Sequence, residues 1–209
     1  MKYMNEQNTL TTLWTIQDYS FYEKILQNQI IYPYYSDHID RRCVHGYQWL
    51  IQQMNMRIGA SSQYASCPIW AWYQWQSSTQ KRPDLRYSGH LSKGSKAVRI
   101  EFQKKSHEIL LSDFDLWHYP YSFKSYIPCS TADEIQFNEK LKNLGLEDTD
   151  FYQLPRDIKQ EIKTSWQHCF DLNFDHTEYS RIAENKCIQA TLWSLSIDEI
   201  VTVDEFIAR

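Results

Sequence analysis

Residues 12–31 read TLWTIQDYSFYEKILQNQII, a β-like run that passes into a helix-like one with neither Gly nor Pro between them. Leu10 to Gln17 has the pattern of a strand. Tyr19 to Ile31 places Phe21, Ile25, Leu26 and Gln29 or Ile30 near one helical face, with Asp18 or Ser20 as N-cap. Thr15 and Gln17 in so short an apolar strand leave two alternatives: an exposed polar face, or one wall of a small-molecule site.

Outward from that stretch, IYPYYSDHIDRRC is irregular around Pro33, and His45 to Ile58 spaces Tyr47, Leu50, Ile51, Met54 and Ile58 as a second helix ended by Gly59. CPIWAWYQW is strand-like with bulky side chains on both faces, and a long polar loop follows it. AVRIEFQ alternates cleanly, and HEILLSDFDLWH predicts a short apolar strand ending in an acidic and aromatic turn closed by Pro120. Thr131 to Leu144 and Pro155 to Phe170 predict two helices that cover a sheet, the second with Ile158, Ile162, Trp166 and Cys169 on one stripe. NKCIQATLWSL closes the pattern as a strand, followed by SIDEIVTVDEFIA as a capped turn or strand. The order predicts a single α+β domain over 1–209, with a helical segment at about 131–170, rather than regular βαβ alternation.

Aromatic residues make up 15% of the 209, with 8 Trp and 15 Tyr; beyond core packing, that supply suits surfaces that stack on bases, nicotinamide or sugars. A net charge of −4 argues against broad binding to a phosphate backbone. The five Cys are scattered without CxxC or Cys/His ligand spacing, which fits reduced thiols in a cytoplasmic protein and shows no metal site. No apolar run reaches the length of a membrane span, so no membrane association is expected.

Three motifs carry chemistry. Pro83-Asp84 with Glu101 and Lys104 is similar to the carboxylate–lysine set of metal-dependent nucleases, but a three-residue step puts Lys104 and Glu101 on opposite faces of a strand; the alternative is a charged loop with internal ion pairs. Asp113 and Asp115 are either a carboxylate pair or a turn in which Ser112 and Asp113 cap the backbone. Gln189, an amide in an apolar strand, either braces a neighbouring backbone or faces a ligand, because burying it unpaired costs about 1–3 kcal/mol. No GxSxG elbow, His triad or glycine-rich phosphate loop is present, which argues against a P-loop or Rossmann nucleotide site.

Taken together, LWTIQ and its helix, YQWLIQQMNMRIG, PIWAWYQW, RPDLR, VRIEF, ILLSDFDLWH and IQATLWSL resemble, over nearly the whole chain, an uncharacterised bacterial domain-of-unknown-function family. More distantly, LWTIQDYSFYEKILQNQII and IQATLWSLSIDEIVTVDEF resemble the opening and ending of DarT-type ADP-ribosyltransferases, which modify DNA bases using NAD. That resemblance implies a split sheet with covering helices, NAD as co-substrate in a cleft between two sheets, and a macromolecular acceptor, nucleic acid or protein. It also implies toxin or phage-defence biology with an antitoxin or regulator as partner. By the same resemblance Trp14, Thr15 and Gln17 fall on the first NAD-contacting strand, Trp70, Trp72 and Tyr73 beside the nicotinamide, and Gln189 at the position of the catalytic acid, with the first and closing strands side by side. Tyr73 and Gln189 are then the catalytic candidates, and Arg82 or Arg86 the diphosphate partner, since a guanidinium fork suits phosphate oxygens. The family's opening His or Arg is absent, and Gln189 stands where it has Glu. The other function class is a binding module, in which the aromatic strand and QKRPDLR form a stacking platform for a nucleotide or single-stranded nucleic acid without chemistry.

Overall fold

The structure is a computed structural model that describes residues 9–33, 43–61, 67–176 and 179–209; most of the irregular segment read around Pro33 lies outside them. In chain order the strands are β1 (Leu10–Asp18), β2 (Ile30–Ile31), β3 (Ile69–Gln74), β4 (Lys96–Lys105), β5 (Leu110–Asp113), β6 (Ile188–Leu192), β7 (Leu195–Ser196) and β8 (Ile200–Ile207). The α-helices are α1 (Tyr19–Asn28), α2 (Val44–Arg57), α3 (Phe114–His118), α4 (Thr131–Asn143) and α5 (Arg156–Ser165). Among the described residues no helix is long and apolar enough to cross a membrane, and all five cysteines are free.

Six strands form one sheet in the order β5-β6-β3-β1-β4-β8, every neighbour antiparallel, while β2 and β7 pair as a separate ribbon. Its junctions are unequal. β1 and β4 share a continuous register from Leu10↔Lys105 to Asp18↔Ala97, whereas β1 and β3 meet at the single pair Trp14↔Trp72. The sheet is thus two three-stranded halves, β5-β6-β3 and β1-β4-β8, pinned at one point. Beside the pin, the Thr15 hydroxyl donates to the Trp70 carbonyl at 2.8 Å and accepts from Gln17 Nε2 at 2.8 Å. The first and closing strands expected side by side are separated by β3, which pairs with both.

One face of the sheet carries an apolar core that runs behind both halves: Leu13, Val98, Ile100 and Phe102 from one, Ile69, Ala71, Ala190 and Leu192 from the other. Helix α1 lays Ile25 on it. Asp18 caps this helix by accepting from the Ser20 amide at 2.9 Å. The helix stops at Asn28 rather than Ile31: Gln29 turns left-handed with φ 65°, and Ile30 and Ile31 pair with Ser196 and Leu195. Strand pairing overrides the helical periodicity there.

The second core is helical. Trp49, Leu50 and Met54 of α2 meet Phe137 of α4, Ile158 and Ile162 of α5, and Trp166, and touch the sheet chiefly through Leu110 and the half-buried Trp70. The predicted stripe Ile158, Ile162, Trp166 and Cys169 is buried as its spacing requires. The helical turn Trp166–Phe170 that follows α5 packs on β5, while Phe137 of α4 and Ile158 and Ile162 of α5 join the helical core. Gly46 lets α2 approach the backbone at Pro120 closely, since a Cβ there would lie 2.5 Å from the Pro120 carbonyl oxygen. The strand predicted to end in a turn at SDFDLWH passes instead into α3, because Asp113 Oδ1 accepts from the Asp115 and Leu116 amides at 2.9 and 3.2 Å. A π-helical turn, Tyr119–Phe123, continues it through Pro120.

Candidate functional site

Antiparallel register places directly opposed residues on the same face. One row therefore runs across the sheet, Ser112–Gln189–Trp72–Trp14–Glu101, through the pairs Ser112↔Gln189, Gln189↔Trp72, Trp72↔Trp14 and Trp14↔Glu101. It lies on the face opposite the apolar core of the sheet. Three strand spacings separate Gln189 from Glu101, about 14 Å, with two indoles between them. Gln189, Trp72, Trp14 and Glu101 are all half-buried, which suits a floor that a ligand covers.

Polar groups along the row differ in how they are satisfied. Trp14 Nε1 donates to Glu101 Oε2 at 2.8 Å, a charge-assisted bond that fixes both side chains. Trp72 packs on Phe114 with ring centroids 5.3 Å apart. The half-buried Gln189 carboxamide makes no hydrogen bond to another described residue and is open to solvent, so among these residues it braces no backbone. Next to it, Ser112 is 1% exposed and its hydroxyl is also unpartnered. Trp70, on the same strand face, buries an unpartnered Nε1 between Tyr47 and Trp117. Unsatisfied buried donors and acceptors are rare in folded proteins and call for a missing partner.

A cationic group borders the row at the β4–β8 side. Arg99 pairs in register with Asp204; its Nη2 lies 2.9 Å from Asp204 Oδ2, and Nη1 donates to the Pro83 carbonyl. Arg82 reaches the same carboxylate oxygen at 2.8 Å. Burial raises the Asp204 pKa, but the bonds from Arg99 and Arg82 outweigh it and hold the carboxyl below its ordinary value. Two guanidinium groups on one carboxylate leave one positive charge in that cluster, which the Glu101 carboxylate in the row balances.

The sequence-derived candidates divide by face. Trp14, Trp70, Trp72 and Gln189 come together. Thr15 and Gln17 point the other way, because successive strand residues alternate, and Thr15 is fully buried. Tyr73 shares the face of Ile69 and Ala71 by the same alternation and packs on the apolar core, under Lys81 at 5.2 Å. Arg82 borders the row. Arg86 instead is bound by Asp84, and its hydrogen bonds to that carboxylate depress the Asp84 pKa to about 2.

The nuclease-like residues have separate partners: Asp84 holds Arg86, Glu101 accepts from Trp14, and Lys104 pairs with Glu199 at 2.7 Å on the opposite side of β4. Asp113 is structural. It caps α3 and pairs with Lys186 at 2.6 Å, both groups being 1% exposed, and its Oδ2 also accepts from Ser180 at 2.8 Å. Sequence reasoning missed Ser112 and Arg99 as site residues and considered Glu101 only as a metal ligand. The alternation of AVRIEFQ does put Arg99 and Glu101 on one face, but only the register across β1 and β3 aligns that face with Gln189.

A family model described as a domain of unknown function, DUF3841, matches residues 12–201. No curated protein and no solved structure matches the chain.

Proposed function

The chain belongs to the DUF3841 family, and from that premise we propose that it is an ADP-ribosyltransferase-like enzyme that takes NAD at the pinned junction of its sheet and transfers ADP-ribose to a macromolecule. The observation that carries this reading is one row that joins the half-buried Gln189 amide, free of protein partners among the described residues, to Trp72, Trp14 and the buried, unpartnered Ser112 hydroxyl. A site of that kind offers indole faces to the nicotinamide or to a target base and an amide to the ribose hydroxyls or the acceptor. Arg82, with Arg99 behind it, is the nearest cationic group for the diphosphate. Thr15 and Gln17 act here as the stitch that shapes the junction, and Tyr73 takes no part in the chemistry.

In the proposed reaction the bond between nicotinamide and ribose C1′ breaks, nicotinamide leaves with the electron pair, and an acceptor nucleophile bonds to C1′. An uncharged Gln189 stabilises the positive charge at the ribose less than a carboxylate does. The expected outcome is nicotinamide release and a labelled acceptor when the pure protein is incubated with labelled NAD and cell extract, with turnover lost in Gln189→Ala. Gln189→Glu should raise turnover about tenfold or more. No NAD binding at millimolar concentration would sink the reading. Toxin or phage-defence biology, with a restraining antitoxin-type partner, belongs to the same proposal.

The aromatic row and the absence of a carboxylate at position 189 also favour a second reading, a nucleotide or single-strand binding module without chemistry. Oligonucleotide binding without NAD binding would select it.

A further inference from the structure

A cavity of about 690 Å³ lies among the helices, and no residue of the sheet row lines it. Its walls carry the rings of Tyr119, Phe123, Tyr126, Phe137 and Tyr152, together with Lys124. The backbone goes out of its way to put Lys124 there. The π-helical turn Tyr119–Phe123 ends with Lys124 in the left-handed region at φ 53°, its amide donating to the Tyr119 carbonyl at 2.6 Å. The left-handed residue closes this turn as Gln29 closes α1, and it fixes where the Lys124 side chain leaves the backbone.

Lys124 is only 9% exposed. Its ammonium has three donors, yet it makes one long hydrogen bond, 3.2 Å to the Ser122 carbonyl, and sits 5.9 Å from the Tyr152 ring. Two carboxylates also line the cavity, Glu134 and Asp150. Neither pairs with Lys124 among the described contacts, and Asp150 accepts from the Tyr152 amide at 2.9 Å. A buried cation that no carboxylate pairs with is unfavourable by itself and becomes favourable when an anion enters beside it.

We propose that this cavity binds a planar aromatic molecule carrying a negatively charged group, a nucleobase with its phosphate. The rings enclose the base, Lys124 takes the phosphate oxygens, and Asn138 and Glu134 at the wall offer partners to the base edge. The volume falls inside the range of about 300–1,000 Å³ typical of small-molecule sites. The same chemistry can come from a free mononucleotide or from one unit of a single strand. The inference stands apart from the NAD reading, because it rests on different residues.

Calorimetric titration of the pure protein with AMP, adenosine and a short single-stranded oligonucleotide tests it. AMP should bind about tenfold or more tighter than adenosine, and Lys124→Met should weaken AMP by a similar factor while Lys124→Arg restores it. Asn138→Trp, which narrows the cavity and leaves Lys124 in place, should also weaken AMP, whereas Trp72→Ala should not. An oligonucleotide that binds tighter than AMP assigns the site to a strand; one that binds no tighter assigns it to the free nucleotide. Equal binding of AMP and adenosine, no AMP binding, or AMP binding lost in Trp72→Ala but kept in Lys124→Met overturns the proposal.

Discussion

Thr15 shows how one hydroxyl resolves a question that the sequence leaves open. It neither faces solvent nor lines the row; it is fully buried and takes up the Trp70 carbonyl where β1 and β3 diverge. Thr15→Val should therefore cost about 1–3 kcal/mol, since it orphans that carbonyl and the Gln17 amide together. Urea unfolding checks this, and a loss below about 0.5 kcal/mol would deny the bond any structural role. His45 makes a second case at this scale. Burial, and then the positive charges of Lys163, Lys124 and Lys159, push its pKa below the ordinary value, and its buried Nε2 has no partner. Below the unfolded-chain value of about 6.5 the unfolded state binds more protons than the folded one, so stability is full above that value and falls with pH beneath it. The urea midpoint should drop between neutral and mildly acid pH, and less steeply in His45→Phe. His168, also depressed by burial, keeps part of the slope in that variant.

Elements were legible wherever local chemistry and tertiary contacts agreed. The α5 stripe follows from spacing, and Asp18 is one of the two N-caps that the sequence offers for α1. The end of α1 does not, because strand pairing at Ile30 and Ile31 decides it, and at α3 the cap by Asp113 is one of the two alternatives that the sequence leaves open. The close approach of α2 to the π-helical turn belongs to this scale as well. Gly46→Ala would force its Cβ against the Pro120 carbonyl and the Tyr121 Cα, 2.5 and 2.8 Å away, and both are backbone atoms that no side-chain rotation can relieve. A loss of about 1–3 kcal/mol is expected, read as a lower thermal midpoint; an unchanged midpoint would mean that the two segments slide apart freely.

At the scale of the whole molecule, the α+β class and the single domain follow from the order of elements, whereas the row does not. A one-residue change of register would send Trp72 or Gln189 to the other face, and register between distant strands depends on turns and packing that no local pattern encodes. This is why Trp14, Trp72 and Gln189 were within reach of sequence reasoning, while the placement of Ser112, Glu101 and Arg99 in the same site was not. The uneven junctions also predict uneven protection. By hydrogen exchange, the amides linking β4 to β1 and β8 should open slowest, and those at the β1–β3 meeting should open sooner. Equal protection across the sheet would contradict a single-pair junction.

That junction has a mechanical consequence. The apolar core crosses behind it from Phe102 to Leu192 without a break, so the two halves resemble the covers of a book bound along its spine. They can part on the side of the indoles while the bound side stays shut. The Thr15 stitch and the Trp14–Trp72 strand pair join the covers there, so a change at either should alter what the pages admit as well as loosen the binding.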